Sequence, residues 1–234
     1  MKNIKDYREK ELKLYIIANV LLILATSNII PYNQSTKSIE YLKTIIEILN
    51  MSLISGFISI IAFLSDSIYS SGMKYKLVSI FGLIKQPGEK VFSDIFKGCK
   101  DNRIEKNDAL SSYKKIKSRI DELEGKSKDK RRYENSQWYK IYYTYRNEDM
   151  IFISNRDYLL CRDIFISTVS LMILYISFTL IFKIIEFSSI YFICLLVLLV
   201  ISNISSHFKA KRMVFNVIAH DLSERNNNDV VKNV

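Results

Sequence analysis

The sequence "FSSIYFICLLVLLVISNISSHF", Phe187–Phe208, runs for 22 residues without an Asp, Glu, Lys or Arg. At 1.5 Å of rise per residue, a helix of this length covers about 33 Å, close to the roughly 30 Å of a bilayer's hydrocarbon core. Amphipathic helices of soluble proteins carry charged residues on their outer face, and this segment carries none. It therefore predicts a transmembrane helix.

Three further uncharged blocks of 18 or 19 residues have the same character: Leu14–Tyr32, Ile48–Ser65 and Ile164–Phe182. Asp6, Glu9 and Glu11 interrupt the basic start, and no A-x-A site follows, so the first block is predicted as a retained helix. The fold class is predicted as all-α, a multi-pass membrane protein with four transmembrane helices. The predicted segments are 1–65 with helices 1 and 2, 66–163 as a basic cytosolic domain, 164–208 with helices 3 and 4, and 209–234 as a cytosolic helix and tail. Within the tail, Asn226–Asn228 and the last few residues are predicted as disordered.

Basic residues orient the predicted helices. Lys and Arg number 5 before the first block, 21 between the second and third blocks, and 5 after the fourth, against 2 and 1 in the other two connections. The positive-inside rule places the basic parts in the cytoplasm. We therefore predict a bacterial inner-membrane protein with both termini cytoplasmic, whose 66–163 insertion carries a net charge of +6.

Helical periodicity recurs within the insertion. A single helix is predicted with its apolar face at Ala109, Tyr113, Ile116, Ile120 and Leu123, starting near Asn107 or Asp108 and ending near Gly125. A second helix is predicted from Asn135 or Ser136, and a third from Glu148 directly into the third crossing. Residues 75–96 are predicted as irregular, with a turn at Pro87–Gly88 that serves either as a simple connection or as a binding loop.

The stretch "KSKDKRRYENSQWYKIYYTYRN", residues 126–147, combines cations with aromatics. Lys126, Lys128, Lys130, Arg131 and Arg132 are predicted as a loop, followed by a helix face that starts at Trp138. Three interpretations remain open: attraction to anionic lipids, binding of a nucleotide or short oligonucleotide by charge and stacking, and plain solubility. The anion-contact hypothesis assigns the five cations as contacts and Trp138 as support or stacking partner; stable DNA binding is not expected.

Reactive chemistry has few candidates in this sequence. The motifs H-E-x-x-H and G-x-S-x-G and the Gly-rich phosphate loops are absent, and the three cysteines show neither metal-ligand spacing nor a disulfide framework. The prediction is a protein that is not an enzyme, without catalytic residues, bound metal or cofactor. Polar residues within the apolar blocks are assigned to helix packing or to a pore lining: Asn19, Ser52, Ser55, Ser59 and Asn203.

Four short runs carry a resemblance. "QPGEKVFSD" (86–94), "DNRI" (101–104), "NSQWYKIY" (135–142) and "NRDYLLCRD" (155–163), the last leading into an apolar helix, resemble bacterial four-helix membrane proteins with a cytosolic insertion. This architecture is similar to that of the membrane effectors of anti-phage systems, either the cyclic-oligonucleotide (CBASS) effectors or the oligonucleotide-gated Hailong channel. The resemblance implies a cytosolic domain that senses a nucleotide signal and a membrane part that permeabilises the bilayer.

Together these observations predict a homo-oligomeric channel-type or pore-forming effector gated by its cytosolic domain, with the lipid bilayer and a nucleotide or oligonucleotide second messenger as partners. Two alternatives come from other classes of protein. One is a non-conducting membrane-anchored interaction module, and the other is an accessory subunit of a transporter.

Overall fold

The computed structural model describes residues 4–26, 68–80, 84–98, 101–183 and 186–232. All regular elements among them are helical, which confirms the all-α prediction for this part of the chain. The helices are α1 (Ile4–Thr26), α2 (Ser71–Val78), α3 (Val91–Lys97), α4 (Lys106–Ser112), α5 (Lys114–Glu122), α6 (Ser127–Tyr145), α7 (Asp149–Ile176) and α8 (Ser189–Lys232), with a 3₁₀ turn at Pro87–Glu89 and a π-helical segment at Ser177–Ile181.

Two of the described helical stretches are long and apolar enough to cross a membrane by length and composition. They are Asp149–Ile181 and Ser189–Asn227, and each contains an 18-residue window with a mean hydropathy of 2.2. They overlap the third and fourth predicted crossings, 164–182 and 187–208, over all but one or two residues. The first predicted crossing is described only as far as Thr26, and the second, residues 48–65, lies outside the described residues.

The described residues group into two compact units. The span unit comprises residues up to 78 together with 159–204, and the basic unit comprises 79–158 together with 205–232. Helices α7 and α8 each contribute to both units without a break. The insertion and the C-terminal helix, which the sequence presents as separate segments, therefore contribute to one unit.

The span unit has an apolar core built from three helices. Leu12, Ile16 and Ile23 of α1 pack with residues of α7 and α8 that include Leu171 and Leu195. Burial of apolar surface stabilises such packing by roughly 25 cal/mol per Å² where water is the alternative environment.

Helix α2 is fixed inside the span unit at its C-terminal end and at its middle. Val78 is buried against Phe165, and the Val78 carbonyl accepts a hydrogen bond of 3.0 Å from Nδ2 of Asn203. Lys74 Nζ lies 3.7 Å from the fully buried carboxylate of Asp163. An uncapped helix end leaves carbonyls without partners, so the Asn203 amide stabilises the end of α2.

The basic unit surrounds a larger core, with Phe92 and Ile95 of α3, Trp138 of α6 and Val217 and Ile218 of α8 at its centre. The predicted turn at Pro87–Gly88 is a 3₁₀ turn that packs on α6. A Cβ added to Gly88 would lie 3.3 Å from Cε3 of Trp138, so the turn approaches the indole closely.

The predicted single helix over residues 107–125 is wrong: α4 and α5 are separate helices that meet at Tyr113. This residue has φ −112° and ψ 28°, outside the helical region, and it caps both helices. The predicted apolar face survives the break, because Ala109, Tyr113 and Ile120 are all buried in the core. Gly125 has φ +91°, a conformation that favours glycine, just beyond the end of α5.

Three other local predictions need correction. Helix α6 begins at Ser127, so the cations predicted as a loop form its cap and first turns. Residues 75–96, predicted as irregular, contain the end of α2 and most of α3. The chain is helical to Lys232, including the Asn226–Asn228 run predicted as disordered. The continuous helix predicted from Glu148 into the third crossing is confirmed by α7.

Candidate functional site

One face of α6 lines a cleft in the basic unit. Ser127, Lys130, Arg131 and Glu134 are spaced by three, one and three residues, which places them on the same side of a helix. The cleft has a volume of about 330 Å³. Its other wall comes from the 3₁₀ turn and α3 and supplies three more cations: Lys85, Lys90 and Lys97.

The two walls are joined by the buried carboxylate of Glu134. Oε1 accepts a hydrogen bond of 2.5 Å from the Ser93 hydroxyl, and Oε2 accepts one of 2.9 Å from the Ser93 backbone N–H. Ser93 lies in the first turn of α3, where backbone N–H groups lack intrahelical partners and a carboxylate is favourable. Burial raises the pKa of the Glu134 carboxyl, while the Ser93 hydrogen bonds and the charge of Lys130 oppose that rise.

Charge in the cleft is mixed but favours an anion. Its five cations face four carboxylates, of which Asp94 lies 3.5 Å from Lys90 and Glu134 is taken up by Ser93. Lys130 and Arg131 are half-buried, so their charges act at lower effective dielectric than fully solvated ones. Arg131 Nε donates to the Ser127 carbonyl at 3.2 Å, which leaves its terminal nitrogens free of any hydrogen bond to the described residues.

Trp138 lies four residues, about one turn, beyond Glu134, and it is in the core. It is 7% exposed, and its ring stacks on Tyr142 with centroids 5.4 Å apart and an interplanar angle of 16°. Gly88 of the 3₁₀ turn also approaches the Trp138 ring closely. The structure thus places Trp138 as a support for the turn, where its ring already has protein neighbours.

The other three predicted anion contacts lie apart from the cleft. Lys126, Lys128 and Arg132 are exposed and do not line it. Lys128 and Arg132 share the solvent side of α6 with the exposed rings of Tyr139 and Tyr143. The predicted set therefore divides between the cleft, the solvent face and the core.

The span unit contains a second set of functional interest, which we call the polar interior: Tyr15, Asn19, Ser167, Thr168 and Tyr191. The Tyr15 hydroxyl lies 2.7 Å from Oγ1 of Thr168, and Nδ2 of Asn19 donates to the Tyr15 carbonyl at 2.9 Å. Three buried atoms, Oδ1 of Asn19, Oγ of Ser167 and the hydroxyl of Tyr191, have no hydrogen-bond partner in the described part of the chain.

The predicted packing or pore residues have different environments. Asn19 belongs to the polar interior, and Asn203 holds the end of α2. Ser52, Ser55 and Ser59 lie outside the described residues. Tyr15, Ser167, Thr168 and Tyr191 were missed by the sequence analysis; the signal was their position inside or beside uncharged blocks.

Lys85, Lys90 and Lys97 were also missed, because only the fold brings them opposite α6. Within the described ranges, no group of three or more His, Cys, Asp or Glu side chains is placed to hold a metal ion. Comparison of this chain with protein-family models, with curated proteins and with solved structures found no match.

Proposed function

We propose that this chain is a multi-pass, channel-type membrane protein whose basic unit responds to an anionic ligand bound in the α6 cleft. The observation that carries the proposal is the polar interior of the span unit. A buried polar atom without a hydrogen-bond partner costs about 1–3 kcal/mol, and three such atoms belong to the span unit. Hydroxyls and amides at membrane depth commonly line a path for water or ions.

The route from ligand to channel is supported by helix continuity. Helix α7 runs from Asp149 in the basic unit to Ile176 in the span unit, and α8 likewise contributes to both. A helix that belongs to two packed units transmits a displacement from one to the other, because packed cores have discrete arrangements and deform little. In the proposed mechanism, an anion on Lys130 and Arg131 alters the packing of α6 and, through the core, that of α7 and α8.

The proposal includes four crossings in the bacterial inner membrane, cytoplasmic termini and a homo-oligomeric assembly. It also includes a role as a membrane effector in anti-phage defence, with a phosphate-bearing nucleotide as signal. The exposed apolar residues of the α8 span support lipid or subunit contact: Ile190, Ile193, Val197, Val200, Ile201 and Ile204 are each at least 49% exposed.

Ion flux tests the channel directly. Purified protein is reconstituted in liposomes loaded with K⁺, and flux is measured alone and with added nucleoside triphosphates, cyclic dinucleotides and linear oligonucleotides. We expect ligand-dependent flux in the wild type and reduced flux in Ser167→Ala and Tyr191→Phe, which remove unpartnered hydroxyls.

Ser170→Ala is the matched control for these variants. Ser170 is also buried in α7, but its hydroxyl is satisfied by the Ile166 carbonyl at 3.1 Å. Equal flux in the wild type and in both polar-interior variants contradicts the polar interior as the pore lining. Absence of flux through the wild type under the whole ligand panel and an applied voltage contradicts the channel.

A second candidate function rests on the solvent face of α6. Tyr139 and Tyr143 are 55% and 56% exposed, and the guanidinium of Arg146 lies 4.2 Å from the centre of the Tyr143 ring. Tyrosine and arginine are enriched at protein interfaces, so this face favours a membrane-anchored interaction module. Loss of a specific protein partner in Tyr139→Ser/Tyr143→Ser, with no ion flux in the wild type, would favour it over the channel.

A further inference from the structure

The basic unit contains a second, larger cleft of about 750 Å³. One wall is the stretch of α8 that carries Phe208, Lys211, Arg212 and Phe215, and the other is the end of α3 with the turn that follows it, including Lys97 and Arg103. The two clefts share Asp94 and Lys97 of α3, but none of the α8 residues lines the α6 cleft, so the α8 wall distinguishes this cleft from the first.

Two charged residues of the lining, Asp101 and Arg103, pair with each other. Arg103 donates to both carboxylate oxygens of Asp101, from Nε at 3.0 Å and from Nη2 at 2.8 Å, and Nη1 donates to Oδ1 of Asn216 at 2.9 Å. The hydrogen bond from Arg103 holds the pKa of the Asp101 carboxyl below its usual range. Arg103 is thus a structural link between the turn and α8, and its charge is balanced by Asp101.

The remaining cations of the cleft have no such balance. Lys97, Lys211 and Arg212 form no ion pair within 4 Å with any described residue, and Lys211 Nζ lies 5.6 Å from the centre of the Phe215 ring. The other carboxylate in the lining, Asp94, lies 3.5 Å from Lys90 outside the cleft. Three cations around a concave surface suit a phosphate group, which arginine recognises with two parallel hydrogen bonds.

An exposed aromatic side chain distinguishes the class of phosphate compound. Phe208 is 70% exposed at the edge of the three-cation site, and it ends the uncharged run Phe187–Phe208 within the unbroken helix α8. Aromatic and basic residues directly after an apolar span are typical of the membrane–water interface. From this combination we propose that the cleft binds the phosphate headgroup of an anionic phospholipid, with Phe208 against its glycerol or acyl part.

Lipid titration in nanodiscs tests the proposal without reference to ion flux. Full-length protein is placed in phosphatidylcholine nanodiscs with increasing phosphatidylglycerol, and lipid binding is followed by native mass spectrometry. The test variant is Lys97→Gln/Lys211→Gln/Arg212→Gln. Each basic residue near an anionic surface contributes about fivefold in affinity, so we expect a loss of about a hundredfold.

The control variant removes equal charge elsewhere. Lys114→Gln/Lys115→Gln/Lys140→Gln changes three exposed lysines that line neither cleft, and we expect its affinity to stay within threefold of the wild type. Equal losses in both triple variants would overturn the proposal, because they would show diffuse attraction to the bilayer. If the test variant does not fold, Lys211→Gln/Arg212→Gln replaces it, with an expected loss of about 25-fold.

Glycerol 3-phosphate added to pure phosphatidylcholine nanodiscs separates a lipid from a soluble phosphate compound. Phe208→Ala is expected to weaken phosphatidylglycerol binding severalfold and to leave glycerol 3-phosphate binding unchanged. Tight glycerol 3-phosphate binding that depends on Lys211 and Arg212, with no effect of Phe208→Ala on either ligand, would overturn the lipid assignment in favour of a soluble phosphate ester.

Discussion

The buried carboxylate of Asp221 gives the sharpest test of how the basic unit is held together. It is 3% exposed and accepts hydrogen bonds from three groups: the Tyr113 hydroxyl at 2.6 Å, the Tyr145 hydroxyl at 3.1 Å and Nε of Arg225 at 2.8 Å. These contacts join the α4–α5 junction and α6 to the C-terminal part of α8. Removing each hydroxyl in turn therefore measures how strongly the tail helix is fixed to the insertion.

The lengths and burial of the two hydrogen bonds indicate which tyrosine hydroxyl contributes more to stability. A hydrogen bond to a charged group is worth about 1.5–3 kcal/mol when buried, so we expect Tyr113→Phe to lower the free energy of unfolding by about 2 kcal/mol. The Tyr145 contact is longer and less buried, so Tyr145→Phe is expected to cost about 0.5–1 kcal/mol. Tyr143→Phe is the matched control, because Tyr143 is 56% exposed and its ring stays available to Arg146.

The chain has a single tryptophan, and it reports on this unit. Trp138 is buried in the basic-unit core, so its fluorescence during urea titration in detergent micelles follows that unit's unfolding. With a slope of about 1–3 kcal/mol per molar urea, the Tyr113→Phe midpoint should fall by about 1 M. A midpoint for Tyr113→Phe no lower than that of Tyr143→Phe would refute the assigned role of Asp221.

Three further predictions concern Tyr113, Glu134 and Asn203. Burial raises the pKa of the Tyr113 hydroxyl above the ordinary tyrosine value of 10. The contribution of this hydroxyl to stability is therefore complete below pH 10 and is lost as the pH rises through the folded pKa. The free energy of unfolding should thus fall less steeply with alkaline pH in Tyr113→Phe than in the wild type. Burial also raises the pKa of the Glu134 carboxyl, so the folded state takes up a proton at a higher pH than the unfolded state does. The wild type should therefore gain stability relative to Glu134→Gln as the pH falls through the folded pKa towards 4.5, and the difference between their urea midpoints should increase. Asn203→Leu removes the donor to the Val78 carbonyl, so backbone hydrogen exchange in α2 should quicken while that in α5 stays unchanged.

Sequence periodicity predicted the features of the fold that depend on residues close together in the sequence. The buried face at Ala109, Tyr113 and Ile120 follows from spacing alone, as does the continuous α7. The break at Tyr113 does not, because the hydroxyl partner is Asp221, 108 residues further along the chain. A contact between residues so far apart in the sequence cannot be recognised from the residues on either side of Tyr113.

A count of charges along the sequence likewise does not reveal long-range contacts in the span unit. Lys74 and Arg162 are two of the 21 basic residues counted between the second and third apolar blocks. In the structure, Arg162 Nη2 lies 2.9 Å from Oδ1 of Asp163 and Lys74 Nζ lies 3.7 Å from the same atom, with the carboxylate fully buried. Breaking such a buried pair by removing one partner costs about 3–5 kcal/mol. These two cations therefore stabilise the span unit, a role that a count of charges along the sequence does not reveal.

Residues 126–147 divide among the α6 cleft, the solvent face of α6 and the core. This division limits which class of ligand the proposed site can recognise. Stacking on a base needs an accessible ring, and Trp138 is enclosed by Tyr142 and Gly88. The lining of the α6 cleft contains five cations and no aromatic side chain among the described residues. At about 330 Å³, the cleft also lies at the small end of the range for ligand pockets. A ligand held there by charge and hydrogen bonds, with its phosphates as the recognised group, fits this lining better than one recognised through its base. In the flux assay, compounds that share a polyphosphate group should therefore act alike whatever their base.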